Sequence, residues 1–343
     1  MHGAHLCLTA QSRRVALRND PSHTHLCAEH PSPPTARRLP LISARDLTKS
    51  YPGVQALDGL TVDIEPGIIG FVGANGAGKT TFLRILLGLL QPTSGSVSVL
   101  GFDVQSDAME VRKLVGYMPE HDCLPLDVSG TDFVTHMGQI SGLPFTAARE
   151  RAAEMLRHVG LHEERYRLIG TYSTGMKQRI KLAQALTHDP RLLLLDEPTN
   201  GLDPEGRDEM LALVERTGRE FGIAVVLTSH LLGEIERVCE YLLAIDAGKL
   251  QYAGSVSAFT ERSRRLLVEI DDEVPEFAAQ LRANGLEVEG NGRELRVVLA
   301  NDQVYDVVRD VAAALSVPLS RMEVSRHKLE ELFRDKAPEV QHG

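Results

Sequence analysis

The sequence predicts an α/β fold, in which helices cover a parallel or mixed β-sheet, followed by a small α+β domain. Three observations lead to this prediction. From Leu41 onward, continuously apolar strand-like runs alternate with helical patterns, as in sheets that are covered on both faces. Between about residues 125 and 172 only helical patterns occur, which predicts a helical insertion. After residue 262 the predicted order becomes βαββαβ, which is typical of a ferredoxin-like domain.

Composition and charge exclude several classes of protein. With 343 residues, 43% of them hydrophobic, the chain is long enough for a large core and for two or three domains. The formal net charge of −10 argues against a protein that binds phosphate backbones, because such binding needs clustered lysine and arginine. We therefore expect no nucleic acid among its partners.

The apolar runs of the sequence are too short to cross a bilayer, which takes roughly 20 residues. The longest runs lie around Leu86–Leu90 and Leu192–Leu195. A secretory signal is not predicted, since Arg13, Arg14 and Arg18 interrupt the apolar run that such a signal needs. Widely spaced cysteines without a CxxC pair fit a reduced cytosol. They are Cys7, Cys27, Cys123 and Cys239.

Both ends of the chain are predicted to be disordered tails. Residues 1–38 are rich in His, Pro, Ser and Arg and show no apolar period. This stretch is either a solvated tail or sequence read upstream of the true start. Its histidines are spaced too irregularly to predict a metal site. Residues 336–343 form the second predicted tail.

The predicted elements of the α/β part follow from apolar runs and from helical periodicity. They are strand Gly67–Val72, helix Lys79–Leu90, strand Val97–Leu100, helix Ala147–Val159, strand Leu192–Leu195 and strand Ile223–Thr228. Asp246–Lys249, with Ala-Gly at its centre, predicts a β-hairpin.

The C-terminal domain is predicted to have a core of its own, because each of its helices carries apolar residues along one face. These residues are Phe277 and Leu281 in the first helix, and Val304, Val307, Val308 and Val311 in the second. The predicted elements are strand Leu266–Ile270, helix Val274–Asn284, strands Leu286–Glu289 and Leu295–Leu299, helix Gln303–Leu315 and strand Leu319–Val324.

Gly73–Thr80 has the sequence GANGAGKT, which matches G-x-x-x-x-G-K-[ST] between a predicted strand and a predicted helix. The glycines let backbone N–H groups converge on an anion, and the helix N-terminus adds its partial positive charge. Lys79 is expected to reach the β- and γ-phosphates of ATP, and the Thr80 hydroxyl to bind Mg²⁺. A glycine-rich turn with a chance lysine is the alternative, which this context disfavours. The predicted nucleotide contacts in this segment are Gly73, Asn75, Gly76, Ala77, Gly78, Lys79, Thr80 and Thr81.

The apolar run Leu192–Leu195 ends in two acids, Asp196 and Glu197. Two carboxylates at the end of a buried strand need compensation, which a cation and a substrate proton would supply. We predict that Asp196 contacts Mg²⁺ and that Glu197 activates water. The alternative, in which the acids only cap the next helix, leaves the preceding Tyr172–Met176 segment, YSTGM, unexplained.

From about Leu41 to Ser255 the sequence resembles the ABC (ATP-binding cassette) ATPase family. Tyr172–Met176 is similar to the LSGGQ signature of that family, shortly before Asp196. The resemblance implies a mixed core sheet with helices, an antiparallel β region and an α-helical subdomain. We accordingly expect an ATPase domain at residues 39–255, with the helical subdomain at about 125–185, and the small α+β domain at 262–335.

The resemblance also implies roles for further residues in family order. Tyr51 occupies the position of the aromatic residue that stacks on adenine, Glu120 that of the Q-loop, Asn200–Asp203 that of the D-loop, and His230 that of the switch histidine. Ser173 and Gly175 of the signature are expected to contact the γ-phosphate. The implied catalytic residues are Glu197, His230, Lys79 and Asp203, and the implied Mg²⁺ ligands are Thr80, Asp196 and Glu120.

Two departures from the family pattern affect these expectations. Glu120 stands where the family usually has Gln, and a carboxylate still suits Mg²⁺ while its charge can change the rate of hydrolysis. In the signature, Thr174 replaces the first Gly and Met176 replaces Gln, whereas Ser173 and Gly175 are kept. Because Thr does not readily adopt positive φ, we expect ordinary dihedral angles at Thr174.

The resemblance implies two kinds of protein partner. In this family the signature of one subunit closes over ATP held by another, so that one cassette per chain implies a second copy or a related ATPase subunit. In this family the helical subdomain docks a membrane permease, which the resemblance implies is a separately encoded protein. Binding to that permease is expected to place the chain at the cytoplasmic face of the plasma membrane. A small extra C-terminal domain is typical of a class dominated by exporters.

A soluble ABC-type ATPase with a non-transport role is the alternative function. Ribosome-acting members fuse two cassettes, and chromosome-organising members separate the two motifs by a very long coiled coil, neither of which fits this sequence. For the C-terminal domain, a dimerisation or stability role competes with a regulatory binding module. The acidic residues Glu287, Glu289 and Glu294 offer no recognisable pocket and favour the former.

Overall fold

The computed structural model describes residues 40–121, 123–271, 274–290, 292–299 and 301–326. The two predicted tails, with the last residues of the predicted C-terminal domain, lie outside these ranges. Within them the chain forms three β-sheets with helices between and around them.

Strands and helices follow one another along the described chain in the predicted alternating manner. The strands are β1 (Ile42–Tyr51), β2 (Val54–Ile64), β3 (Ile68–Val72), β4 (Ser94–Val99), β5 (Phe102–Asp103), β6 (Val115–Met118), β7 (Leu192–Leu195), β8 (Ala224–Ser229), β9 (Tyr241–Asp246), β10 (Lys249–Ser255), β11 (Arg264–Ile270), β12 (Val288–Glu289), β13 (Glu294–Val298) and β14 (Leu319–Arg326). The helices are α1 (Lys79–Leu86), α2 (Ala108–Leu114), α3 (Gly130–Ile140), α4 (Phe145–His158), α5 (Thr174–Leu186), α6 (Pro204–Phe221), α7 (Leu232–Val238), α8 (Val256–Ser263), α9 (Pro275–Ala283) and α10 (Gln303–Leu315).

The central sheet has the strand order β10-β9-β3-β8-β7-β6. Its strands from β9 to β6 are parallel, and β10 pairs antiparallel with β9. A second, antiparallel sheet has the order β2-β1-β4-β5. The α/β part is therefore a mixed sheet with a separate antiparallel region, as expected.

The central strands are buried on both faces, which explains their continuously apolar sequences. All four leucines of β7 are fully buried. Leu192 and Leu194 pack in a core shared with α1 and the antiparallel sheet, whereas Leu193 and Leu195 pack in the core formed with the helices of the opposite face. Successive side chains of one strand thus serve two different cores.

The predicted helical insertion lies between β6 and β7. The described residues of this segment form no strand, but α3, α4 and α5, with short 3₁₀ turns at Glu164–Tyr166 and Ile169–Thr171. Ser129 begins α3 with a side-chain cap, accepting a hydrogen bond from the Asp132 N–H. Of the helices in the described part, none has the length and apolar character needed to cross a membrane.

Helix α1 is shorter than predicted. We expected it to extend to Leu90, but it ends at Leu86 because Gly88 adopts a left-handed conformation with φ of 63°. The N–H groups of Gly88 and Leu89 turn back to the carbonyls of Ile85 and Arg84, at 2.8 and 2.9 Å. Glycine favours this type of helix end, since it has no Cβ to oppose positive φ.

The predicted hairpin joins β9 to β10. Its two loop residues, Ala247 and Gly248, both have positive φ, 44° and 78°. Two such residues form the type I′ turn whose twist matches that of the flanking strands, so the hairpin prediction is confirmed.

The C-terminal sheet has the order β12-β13-β11-β14, and all neighbouring strands are antiparallel. The element order agrees with the predicted βαββαβ pattern. Phe277 and Leu281 of α9 and Val304, Val308 and Val311 of α10 are buried in a core of their own. Helix α8, between the two predicted domains, packs on α7 and on the β9–β10 hairpin.

The packing of α5 on β6 leaves no room for a side chain at Gly116. A Cβ at this position would lie 2.2 Å from the Ala185 carbonyl oxygen and 2.7 Å from Leu193 Cδ2. We expect Gly116→Ala to lower the free energy of unfolding by about 1–3 kcal/mol, measured from urea denaturation. Gly233→Ala in α7 is the control, because its Cβ would meet no heavy atom within 4 Å. Equal stability of the two variants would contradict this close packing.

Candidate functional site

The residues predicted to bind nucleotide lie along one edge of the central sheet. The segment Gly73–Gly78 follows β3, Asp196 and Glu197 follow β7, and His230 follows β8. These three strands are parallel neighbours in the sheet. Their carboxyl ends therefore lie side by side, which is where α/β sheets commonly bind ligands.

The loop after β3 wraps around the side chain of Lys79, the first residue of α1. Lys79 is 6% exposed, and its ammonium donates hydrogen bonds to the carbonyls of Gly73 at 2.7 Å and Ala74 at 3.4 Å. Gly78 has φ of 111°, and a Cβ there would lie 2.3 Å from the Ala56 carbonyl oxygen. Only glycine fits this position, because both the dihedral angle and the space exclude a side chain.

This loop forms one wall of a pocket of about 310 Å³. The pocket is lined by Ala56, Ala74, Asn75, Gly76, Gly78, Lys79, Thr80, Thr81, Glu120 and Glu197. Most of the predicted nucleotide contacts are thus brought together. Tyr51 is not among the lining residues; it is 42% exposed at the end of β1, with Lys49 Nζ 5.2 Å from its ring centroid.

Asp196 is buried beside Thr80, and one of its two carboxylate oxygens has no hydrogen-bond partner in the described part of the chain. Its Oδ1 accepts hydrogen bonds from the hydroxyls of Thr228 at 2.9 Å and Thr80 at 3.3 Å. Its Oδ2 is buried and has no hydrogen-bond partner among the described residues. A buried carboxylate oxygen is costly to leave unpaired, and a carboxylate beside a hydroxyl is a donor set that suits Mg²⁺.

Glu197 links the lysine to the histidine. Its Oε1 lies 3.2 Å from Lys79 Nζ, an ion pair outside hydrogen-bond geometry, and its Oε2 lies 2.9 Å from His230 Nδ1. Glu197 is 5% exposed and has φ of 49°. A left-handed backbone conformation costs a non-glycine residue about 1–2 kcal/mol, and such strain is concentrated at functional sites.

Glu120 is held at the rim of the same pocket by contacts from two directions. Its Oε1 accepts a hydrogen bond from Asn200 Nδ2 at 3.3 Å. The carbonyls of Pro119 and Glu120 accept hydrogen bonds from Lys181 Nζ at 3.0 and 3.1 Å. Lys181 lies in α5 and is 1% exposed, so that a buried cation of the signature helix fixes the segment that carries Glu120.

The signature residues and Asp203 lie elsewhere in the same chain. They line a second cavity of about 610 Å³, which shares no lining residue with the first. Ser173 and Asp203 are the N-caps of α5 and α6, and accept hydrogen bonds from the N–H groups of Met176 and Gly206, both at 3.3 Å. One chain therefore does not bring Asp203 together with the other three predicted catalytic residues.

The backbone of the signature has the dihedral angles that the sequence required. Thr174 is the first residue of α5 and is not among the described non-glycine residues with positive φ. Threonine in place of glycine is therefore compatible with this helix start, and Gly175 likewise has no positive φ.

Two residues near Asp196 were missed by the sequence analysis. Thr228 is fully buried; its Oγ1 donates to Asp196 Oδ1 and accepts a hydrogen bond from the Glu197 N–H at 2.8 Å. Burial, and to a lesser extent the Asp196 carboxylate, raises the pKa of Tyr117 to about 12, so that its hydroxyl stays protonated. A hydroxyl residue at the carboxyl end of an apolar strand was the available signal for Thr228.

Thr228→Val tests the role of this hydroxyl, because it keeps the side-chain shape and removes both hydrogen bonds. We expect the free energy of unfolding to fall by about 1–3 kcal/mol, since a buried N–H loses its acceptor. Thr135→Val is the matched control: the Thr135 hydroxyl is buried and has no hydrogen-bond partner in the described ranges, so that stability should not fall. Both are measured by urea denaturation, and an equal effect of the two would contradict the role of Thr228.

Comparison with known proteins finds related sequences. The profile of the ABC transporter family matches residues 57–200. The bacitracin transport ATP-binding protein BcrA of Bacillus licheniformis is 38% identical over 228 residues, which are 66% of this chain and 74% of BcrA. The ABC transporter ATP-binding protein YhcH of Bacillus subtilis is 32% identical over 308 residues, which are 88% of this chain and 99% of YhcH.

A solved structure with the same fold is that of CbiO1 from Clostridium perfringens, described as part of the ABC transporter complex CbiONQ. Its TM-score is 0.59 at 24% identity, over 65% of this chain and 91% of CbiO1. The fold, the site and the extent of these similarities lead to one conclusion: the chain belongs to the family of ABC transporter ATP-binding proteins and is an ATPase.

Proposed function

We propose that this chain is the ATP-hydrolysing subunit of an ABC transporter, which dimerises on ATP and drives a separate membrane permease, in the direction of export. We assign residues 39–255 to the ATPase domain, with a helical subdomain at about 125–185, and residues 262–335 to the second domain, of which the residues after 326 lie outside the described ranges. The observation that carries the proposal is the division of the predicted site between two cavities of one chain.

The pocket around Lys79 is assigned to ATP with Mg²⁺. No group of three His, Cys, Asp or Glu side chains within the described ranges has the arrangement to hold a metal by itself. Mg²⁺ commonly takes one or two protein ligands and completes its shell with phosphate oxygens and water. Thr80 and Asp196 are suited to hold it, with Glu120 at the pocket rim, and the bound ion would neutralise phosphate charge during hydrolysis.

Glu197 is assigned as the general base and His230 as the group that orients it. The Lys79 ammonium contacts both the loop carbonyls and Glu197 Oε1. A γ-phosphate that pairs with Lys79 competes for this ammonium, and its binding leaves the Glu197 carboxylate able to accept a proton from water. His230 Nδ1, 2.9 Å from Oε2, then fixes the direction of that carboxylate.

The position of the signature supports the proposed dimerisation. Ser173 and Gly175 line a cavity that contains neither Lys79 nor Thr80. This separation supports a second chain, either another copy or a related ATPase subunit, whose signature contacts the γ-phosphate at Lys79. Asp203 lies in the same cavity as the signature and would act across that interface.

The docking surface proposed for the permease lies in the helical region. Leu126, Tyr166 and Leu168 are 56%, 67% and 50% exposed. The segments that carry Leu126 and Leu168 are adjacent, since the Gly170 N–H donates to the Leu126 carbonyl at 2.9 Å. Exposed apolar groups of this kind commonly mark protein contacts. Binding there would hold the subunit at the cytoplasmic face of the plasma membrane.

The similarity to BcrA, whose name assigns it to bacitracin transport, supports a transport function. Export rests on the small domain after the cassette, which is typical of the exporter class that the sequence resembles. The nature of the transported compound would be set by the permease.

Replacing the general base tests the hydrolytic site and the dimer together. We expect Glu197→Gln to bind ATP with Mg²⁺, to lose turnover by about 100-fold or more, and to elute as a dimer in gel filtration, because ATP persists between the two chains. Lys79→Ala is the control and should stay monomeric, since it loses phosphate contacts and affinity for a fluorescent ATP analogue. Undiminished ATPase activity of Glu197→Gln would exclude it as the base.

Purification from detergent-solubilised membranes tests the permease. The tagged full chain is expected to retain an integral-membrane protein, identified by mass spectrometry, in fixed proportion. Leu168→Glu should reduce its recovery about tenfold, because a charge is placed in an apolar contact, without changing nucleotide affinity. Ile140→Glu is the control at a residue that is 66% exposed in α3. Recovery of ribosomal proteins in place of a membrane protein would contradict the transporter assignment.

A further inference from the structure

We propose that Glu234, a buried acid beneath the site, is a positioning residue for ATP hydrolysis, which holds the segments carrying Glu197 and His230 at their working distance. The inference rests on the roles proposed above for these two residues. Glu234 itself lines neither of the two cavities described above. Its effect would be exerted entirely through the residues that it binds.

The carboxylate of Glu234 receives two short hydrogen bonds. Glu234 lies in the first turn of α7 and is 7% exposed. Its Oε2 accepts from the Thr199 hydroxyl at 2.8 Å and from the Ser229 hydroxyl at 2.7 Å. Thr199 and Ser229 are themselves 4% and 0% exposed, so that the whole group is shielded from water. Hydrogen bonds to a charged group in such surroundings are stronger than those between neutral groups.

The Thr199 and Ser229 hydroxyls belong to the two segments that carry Glu197 and His230. Thr199 is the second residue after Glu197, and Ser229 immediately precedes His230. The contact between Glu197 Oε2 and His230 Nδ1, at 2.9 Å, joins the same two segments on the pocket side. Glu234 thus forms a second bridge between them, one layer below the reacting groups.

The segment after β7 needs such a restraint. Glu197 has a left-handed φ of 49°, a conformation that persists only where the surroundings fix it. The Glu197 N–H is held by Thr228 at 2.8 Å, and the Asn200 N–H donates to the Glu197 carbonyl at 3.1 Å. The bond from Thr199 to Glu234 is the contact by which α7 restrains this turn.

The second oxygen of Glu234 argues against a purely stabilising role. Oε1 is buried and has no hydrogen-bond partner among the described residues. The unpaired oxygen itself costs stability, so hydrogen-bond stabilisation alone does not account for an acid at this position. An acid in the first turn can also favour a helix through the macrodipole, but α7 has only seven residues.

Three variants of the full chain distinguish a positioning role of Glu234 from a purely stabilising one. Glu234→Met removes the acceptor at similar side-chain length and is expected to lower turnover about 10- to 100-fold, while the affinity for a fluorescent ATP analogue changes little. Its thermal midpoint should fall as well, because two buried hydroxyls lose their acceptor. Glu234→Gln keeps an oxygen that can accept both hydroxyls, and should restore turnover to about that of the parent. Glu236→Met is the matched control on the same helix, where the Glu236 carboxylate accepts from the Thr260 hydroxyl away from the site.

The outcomes are distinguishable. Parental turnover of Glu234→Met would overturn the proposal, and so would equal losses in the Met and Gln variants, which would indicate a need for charge instead of hydrogen bonds. If Glu234→Met fails to fold, Thr199→Val removes one donor to Glu234 at similar side-chain shape, and its turnover must fall with unchanged nucleotide affinity. Glu197→Gln is measured in parallel: retention of activity by that variant contradicts the proposed base, whereas its inactivity beside an active Glu234→Met contradicts only the role of Glu234.

Discussion

Two adjacent carboxylates at the end of a buried strand constrain the structure around them. Asp196 and Glu197 are 1% and 5% exposed, and β7, which precedes them, is covered on both faces, so that neither acid can turn to solvent. Buried carboxylates are strongly unfavourable unless cations or hydrogen-bond donors approach them. The parallel sheet provides these groups, because the neighbouring strands end at the same edge.

The groups that approach the two acids come from two separate segments. Lys79 lies at the start of α1, directly after the loop that follows β3, and Thr228 and His230 lie at the end of β8. Thr228 has a double function, since one hydroxyl donates to Asp196 Oδ1 and accepts from the Glu197 N–H. The proposed role of Glu234 extends this arrangement into the layer below. The strained backbone of Glu197 is therefore fixed by hydrogen bonds on several sides, as sites of stored strain require.

Helix α5 connects the nucleotide pocket to the second cavity. Its N-cap, Ser173, lines the second cavity. Further along, Lys181 donates to the carbonyl of Glu120 at 3.1 Å, and Gln184 to the carbonyl of Tyr117 at 2.7 Å. A rotation of the helical region about this helix would move both the signature and the segment of Glu120. One helix therefore carries a residue of one cavity and holds the segment that lines the other.

The sequence by itself determined the parts of this protein that depend on neighbouring residues. The nucleotide loop from Gly73 to Thr80, the apolar β7 strand with its two acids and the β9–β10 turn are each specified by contiguous residues, since local dihedral angles and strand patterns suffice to define them. The end of α1 was predicted wrongly, because the apolar pattern continues through Gly88 while the backbone does not.

Tertiary structure decided which distant residues meet. Thr228 lies more than 30 residues from Asp196 and Glu197, and Glu234 lies as far from Thr199. Their hydrogen bonds exist only because β7, β8 and α7 pack together. The separation of Ser173 and Asp203 from Lys79 was likewise set by the packing of α5 and α6 on the central sheet. Motif order along the chain carries no distances, whereas the placement of strand ends and helix caps fixes them.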